Sequence, residues 1–170
     1  PTTTVFFFYQ NYFDAQQIPI YLITIYIGLH SGGSAIGGVF ASKLEKRFGE
    51  QKILYIVPLI ISVSFWLILI PKITLIPFII LGVMDSVFYI VLIDYMNKMV
   101  ASDVRATVLS VFGMMFSVIM IIIFTGVGYV IERIDFASGF LMLAIIVTVF
   151  YSILLFILKN NHLAQDIIKE

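Results

Sequence analysis

Apolar residues fill this chain in five long blocks, each closed off by charge or by helix breakers. A helix needs about 20 mostly apolar residues to cross a bilayer. The stretches 20–42, 53–70, 74–97, 104–131 and 136–158 are of that length and character. Asp14 and Pro19 precede the first block, and KLEKRFGEQK follows it. Pro71-Lys72 separates the second from the third, NKMVASDVR the third from the fourth, and IERIDF the fourth from the fifth. Ser102 is expected to cap the N-terminus of the fourth helix, with Asp103 at the positive end of its dipole. Ahead of all five stands PTTTVFFFYQNYF, apolar and aromatic but too short to cross a membrane alone. It lacks the basic start and small-residue cleavage site of a signal peptide. It reads as the outer half of a sixth helix, over about 1–13; a short segment lying in the membrane interface is the alternative. The expected fold is therefore an all-α membrane protein, a single six-helix transmembrane bundle over residues 1–170, with five complete spans and a partial first one.

Composition strengthens this picture. Of the 170 residues 61% are hydrophobic and 12% charged, with a mean hydropathy of +1.10. A water-soluble domain of this size carries about a quarter charged residues, so much of this apolar surface has to face lipid. Net charge is zero and no basic run dominates, which removes the electrostatic footprint of a nucleic-acid binder. There is no cysteine, and the two histidines, His30 and His162, are far apart, so no cofactor and no metal set is suggested. No paired carboxylates or Ser/His arrangement at a workable spacing points to an enzyme.

Lys and Arg set the expected orientation. Lys43, Lys46, Arg47, Lys52, Lys98, Arg105, Lys159 and Lys169 fall on one side, and only Lys72 and Arg133 on the other. The first side is thus expected to be cytoplasmic, in a multi-pass protein of the cell membrane with its C-terminus inside. Tyr12, Tyr21, Trp66 and Tyr129 fall near the outer ends, where an interfacial aromatic belt would lie.

Two small-residue stripes run along the first complete helix. Thr24, Gly28, Ser31, Ala35, Gly38 and Ser42 form one; Gly33, Gly37 and Ala41, with His30, form the other. Such stripes let helix backbones approach closely in lipid. Ile25, Leu29, Ile36 and Phe40 point the other way, towards lipid. The fourth complete helix repeats the theme with Ala106, Ser110, Gly113, Ser117 and Gly128, and Met114 and Met115 could line an adaptable apolar pocket.

The helix at 74–97 carries two aspartates nine positions apart, on opposite faces, so they cannot act as a carboxylate pair. Asp94 is one turn from Lys98, the spacing of an ion pair, and Arg105 comes within reach if the loop folds back. Asp85 lies near mid-span without a basic neighbour in sequence. An Asp there costs about 2.5–3.5 kcal/mol on insertion scales, so it is expected to face the bundle interior or water. It is a candidate proton carrier, or else a buried carboxylate satisfied by Tyr or Ser hydroxyls. His30 is open in the same way, a hydrogen-bonded neutral histidine or a cavity group. Gln10 is a polar group near the outer boundary.

Four passages resemble the C-terminal half of a major facilitator superfamily transporter, of the bacterial permease or drug-efflux kind. GGVFASKLEKRFGEQK (37–52) is similar to the superfamily's cytoplasmic signature of a Gly-rich helix end and a basic loop. DYMNKMVASDVRATVLS (94–110) resembles the link between its tenth and eleventh helices. GYVIERIDFASGF (128–140) resembles the outer turn before the last helix, and YQNYFDAQQIP (9–19) the end of the seventh. Ser42 stands where the signature usually has an acidic residue. The resemblance implies alternating access around a central cavity, a missing N-terminal six-helix half or a second copy as partner, and a small organic solute and protons as ligands. It implies Asp85 for proton coupling and Gln10, His30, Tyr89, Ser110 and Ser117 for the cavity. It places Lys43, Lys46, Arg47, Asp94, Lys98 and Arg105 at a cytoplasmic gate. A membrane-embedded binding or assembly subunit that does not transport is the alternative function.

Overall fold

The computed structural model describes residues 2–169, together with their side chains except those of Lys72 and residues 157–169. The side chains of Lys159, His162 and Lys169 thus lie outside the described residues, as does that of Lys72. The elements, in chain order, are α1 (Thr2–Ala15), α2 (Ile20–Phe48), α3 (Glu50–Leu67), a 3-10 turn over Pro71–Ile73, α4 (Leu75–Met99), α5 (Arg105–Arg133) and α6 (Phe136–Lys169). Five of these helices, α2 to α6, are long and apolar enough to cross a membrane.

The helix ends depart from the sequence reading in instructive ways. α2 does not stop at Ser42 but continues through Lys43–Phe48, because Lys, Leu, Glu and Arg are good helix formers wherever the solvent is polar. Gly49 alone then turns the chain into α3, with φ of 83°, a left-handed value that glycine adopts without a Cβ penalty. Ser102 does not cap α5. Residues 101–104 form a turn closed by Val104 N–H to Ala101 C=O, and α5 begins at Arg105 without a side-chain cap. Asp103 consequently lies outside the first helical turn. The cap appears instead before α6, where Asp135 accepts the backbone N–H of Ser138 at 2.7 Å.

That bond has a pH signature. The Ser138 N–H holds the Asp135 carboxyl below the ordinary carboxylate range, so its stabilising contribution is complete above the ordinary value and is lost as pH falls through the depressed one. Asp135→Ala should therefore lower the melting temperature at neutral pH, and the gap from the parent protein should close on acidification. A gap that stays constant down to strongly acidic pH would remove the cap from the account.

α2 and α4 form the tightest pair. A Cβ on Gly37 would sit 2.4 Å from the Val83 carbonyl oxygen, and one on Gly82 2.6 Å from that of His30. The Gly33–Gly37–Ala41 stripe is thus the packed seam, while Thr24, Gly28, Ser31, Ala35 and Ser42 of the other stripe are exposed and Gly38 is half-buried against Ser86. α3 packs on α4 and on α6, where Thr148 Oγ1 accepts the indole N–H of Trp66 at 3.0 Å and meets Ser62 Oγ at 3.1 Å. α1 drives Tyr9, Tyr12 and Phe13 into the centre, against Phe78 of α4 and Phe140 of α6. Tyr12 is therefore not an interfacial residue. It is 4% exposed, stacked on Phe140, with its hydroxyl donating to the Ile68 carbonyl at 3.0 Å. A buried phenol needs such a partner, and the turn after α3 supplies it. Tyr21, Trp66 and Tyr129 are exposed, as a belt would require.

Candidate functional site

The polar groups gather in two places, one at mid-height of the bundle and one at its lysine-rich end.

At mid-height, the close α2–α4 approach brings His30 and Asp85 to the same seam. The His30 ring stacks on Phe78 with centroids 4.5 Å apart and lies near Phe6 of α1. Its Nδ1 is buried without a hydrogen-bond partner. Asp85 is two turns beyond Phe78 on the same face of α4 and is half-buried. Its Oδ1 accepts the hydroxyl of Thr2, which ties α1 to α4. The mid-span carboxylate thus meets a hydroxyl, as the sequence allowed, but one from threonine on another helix. Nothing in the sequence marks Thr2, because the pairing joins residues 83 positions apart.

The remaining cavity candidates are more dispersed. Tyr89, one turn after Asp85, is exposed, and so is Gln10 on α1. Ser110 and Ser117 are exposed on α5, and Ser117 turns its hydroxyl back to the Gly113 carbonyl of its own helix at 2.9 Å. Beside them Val111, Met114, Met115, Val118 and Ile119 line an open apolar depression of about 400 Å³. Apart from His30 and Asp85, which share the α2–α4 seam, the cavity candidates are not brought together among the described residues. They share exposure on α1, α4 and α5.

At the lysine-rich end the arrangement is denser. Lys98 Nζ lies 2.7 Å from Asp94 Oδ2 and 2.8 Å from Glu45 Oε1, and it also pairs with Glu50. Three elements converge there: the last turn of α4, the polar extension of α2 and the first turn of α3. The Asp94–Lys98 pair follows from i,i+4 spacing and was legible in sequence. Glu45 and Glu50 were not, since they are buried in a basic run and reach Lys98 only through tertiary contact. The carboxylate oxygens of Glu45, Glu50 and Asp94 lie within 4.8 Å of one another. That is the spacing of a cation site, and here the Lys98 ammonium is the cation.

Arg105 does not join this cluster. Its Nη2 donates to the Val100 carbonyl at 3.2 Å, closing the α4–α5 turn, and its Nε is buried without a partner. Lys43, Lys46 and Arg47 are exposed and form no ion pair among the described residues. Lys43 instead lies over the Phe40 ring at 5.1 Å, and Arg47 over Phe48 at 5.5 Å.

The family description that matches this chain is that of the Major Facilitator Superfamily, over residues 2–168. Neither a curated protein nor a solved structure gives a significant match.

Proposed function

The chain belongs to the major facilitator superfamily, whose members are multi-pass membrane transporters, and from that premise we propose that it is one six-helix half of a secondary transporter that moves a small organic solute by alternating access, coupled to protons. The lysine and arginine distribution supports a place in the cell membrane with the lysine-rich end and the C-terminus in the cytoplasm. The other half of the cavity wall comes from a second six-helix unit or a second copy of this one. Residues on exposed faces of α1, α4 and α5 (Gln10, Tyr89, Ser110 and Ser117) suit a wall of this kind.

The observation that carries the reading is Asp85. It is a carboxylate at the middle of an apolar span, and such groups are costly to keep there and mark ion or substrate paths. It is half-buried and bonded to a single hydroxyl, so part of its hydrogen-bonding capacity is free to take and release a proton. His30, with an unpaired buried ring nitrogen, is a further polar group on the same seam. The decisive experiment reconstitutes the complete protein in vesicles and offers a panel of small organic solutes, with and without a proton gradient. Flux that no gradient alters for any transported solute would sink the coupling.

Gating falls to the Lys98 cluster. With one ammonium binding three carboxylates from α2, α3 and α4, the lysine-rich end is held shut electrostatically until substrate or proton shifts the balance. Lys98→Met removes every pair at once and leaves three acidic groups facing one another. The expected result is faster reaction of an Ala101→Cys reporter with an impermeant maleimide applied from that side. An unchanged labelling rate would assign the cluster to packing.

A further inference from the structure

We infer that Lys43 and Arg47 form a headgroup site for an anionic phospholipid at the lysine-rich end of α2. The two cations continue one helical face. Ile25, Leu29, Ile36 and Phe40 recur at spacings of three and four or their sum, all exposed, and Lys43 and Arg47 extend the row by three and then four. Away from the α2–α4 seam, this face is apolar for most of its length and turns basic within one turn. An acyl chain lies along the first part, and a phosphate one turn higher meets the second.

Charge and geometry favour the same occupant. Among the described residues no carboxylate pairs with Lys43 or Arg47, and Glu45, Glu50 and Asp94 all turn to Lys98. The lysine-rich end therefore holds a cluster of one ammonium and three carboxylates and, apart from it, cations that form no ion pair among the described residues, Lys43 and Arg47 among them. Each of the two lies over an exposed aromatic ring, Phe40 or Phe48. Aromatic rings and long basic side chains both settle at the membrane–water boundary, and a cation over a ring face keeps its outer N–H groups available. One turn apart, an ammonium and a planar guanidinium straddle a phosphate, the guanidinium by two parallel hydrogen bonds. Zwitterionic headgroups offer the same phosphate with a neighbouring positive charge, so an anionic lipid is preferred.

The test uses the full chain in phosphatidylcholine vesicles carrying trace spin-labelled phosphatidylglycerol or spin-labelled phosphatidylcholine. The readout is the fraction of each label immobilised at the protein surface. The parent protein should hold phosphatidylglycerol in preference to phosphatidylcholine, and the preference should weaken with salt. Arg47→Gln should lower the preference about fivefold, the usual contribution of one basic residue near an anionic surface. Lys52→Gln, which removes an exposed cation at the same end on α3, should leave it unchanged. Equal retention of both lipids by the parent protein overturns the inference. So does an equal loss in Lys52→Gln, which would indicate general surface charge, or an unaltered preference in Arg47→Gln. A protein partner covering this face would appear as equal retention. The measurement needs neither solute nor gradient, so it stands or falls separately from the transport reading.

Discussion

Asp85→Asn in the complete protein is expected to reduce gradient-driven accumulation to the level of protein-free vesicles while leaving solute exchange across the membrane at equal pH in place. The amide keeps the shape of the carboxylate and an oxygen that can still accept the Thr2 hydroxyl, so the α1–α4 tie survives. Insertion is not compromised either, because a neutral amide at mid-span is less costly than an ionised acid. What disappears is the ionisable group. Exchange of labelled for unlabelled solute needs no net proton movement, and net accumulation does; the variant should separate them. Persisting accumulation that still responds to the pH gradient would mean that protons travel by another group, or do not travel at all. Loss of both activities with a reduced melting temperature would make Asp85 a structural residue.

The largest structural effect is expected from Gly37→Ala. The added methyl would lie 2.4 Å from the Val83 carbonyl oxygen. That neighbour is backbone in the middle of a helix, and it cannot rotate aside as a side chain can. Relief requires α2 and α4 to separate, which strips contacts along their shared length and disturbs the His30–Phe78 stack. Overpacking costs about 1–3 kcal/mol when side chains can adjust, and a backbone collision belongs at the upper end. Gly28→Ala is the matching control. It lies on the same helix, but an added Cβ has nothing within 4 Å, so it should be neutral or stabilising by about 0.5–1 kcal/mol through helix propensity. Thermal unfolding in detergent distinguishes the two, and similar melting temperatures for both variants would contradict the seam.

These two glycines also mark how far sequence reasoning reached. Both stripes on α2 were visible as small residues at helical spacing, but spacing does not say which stripe has a neighbour. Only the position of α4 selects Gly33, Gly37 and Ala41. The spans themselves were legible because lipid imposes a length and a composition that few other environments do. Their ends were less so. Local polarity suggested that α2 stops near Ser42, yet the following residues are strong helix formers and the helix continues into a polar region. Ser102 had the chemistry of a cap but lies in a turn, and Asp135 had the same chemistry in the right place. The position of Tyr12 along the chain points to the membrane boundary, whereas α1 rotates it inward onto Phe140. At the sites the division is similar. Asp94–Lys98 lies within one helix and could be read from spacing, while Thr2, Glu45 and Glu50 act across helices and could not.

Gly49 carries a further consequence. It is the only residue between α2 and α3, and its left-handed backbone folds Glu50 back beside Glu45, so that two acids from different helices reach the same ammonium. A joint of one residue has no slack. A movement of α2 or α3 that draws its acid away from Lys98 therefore also pulls on the other helix.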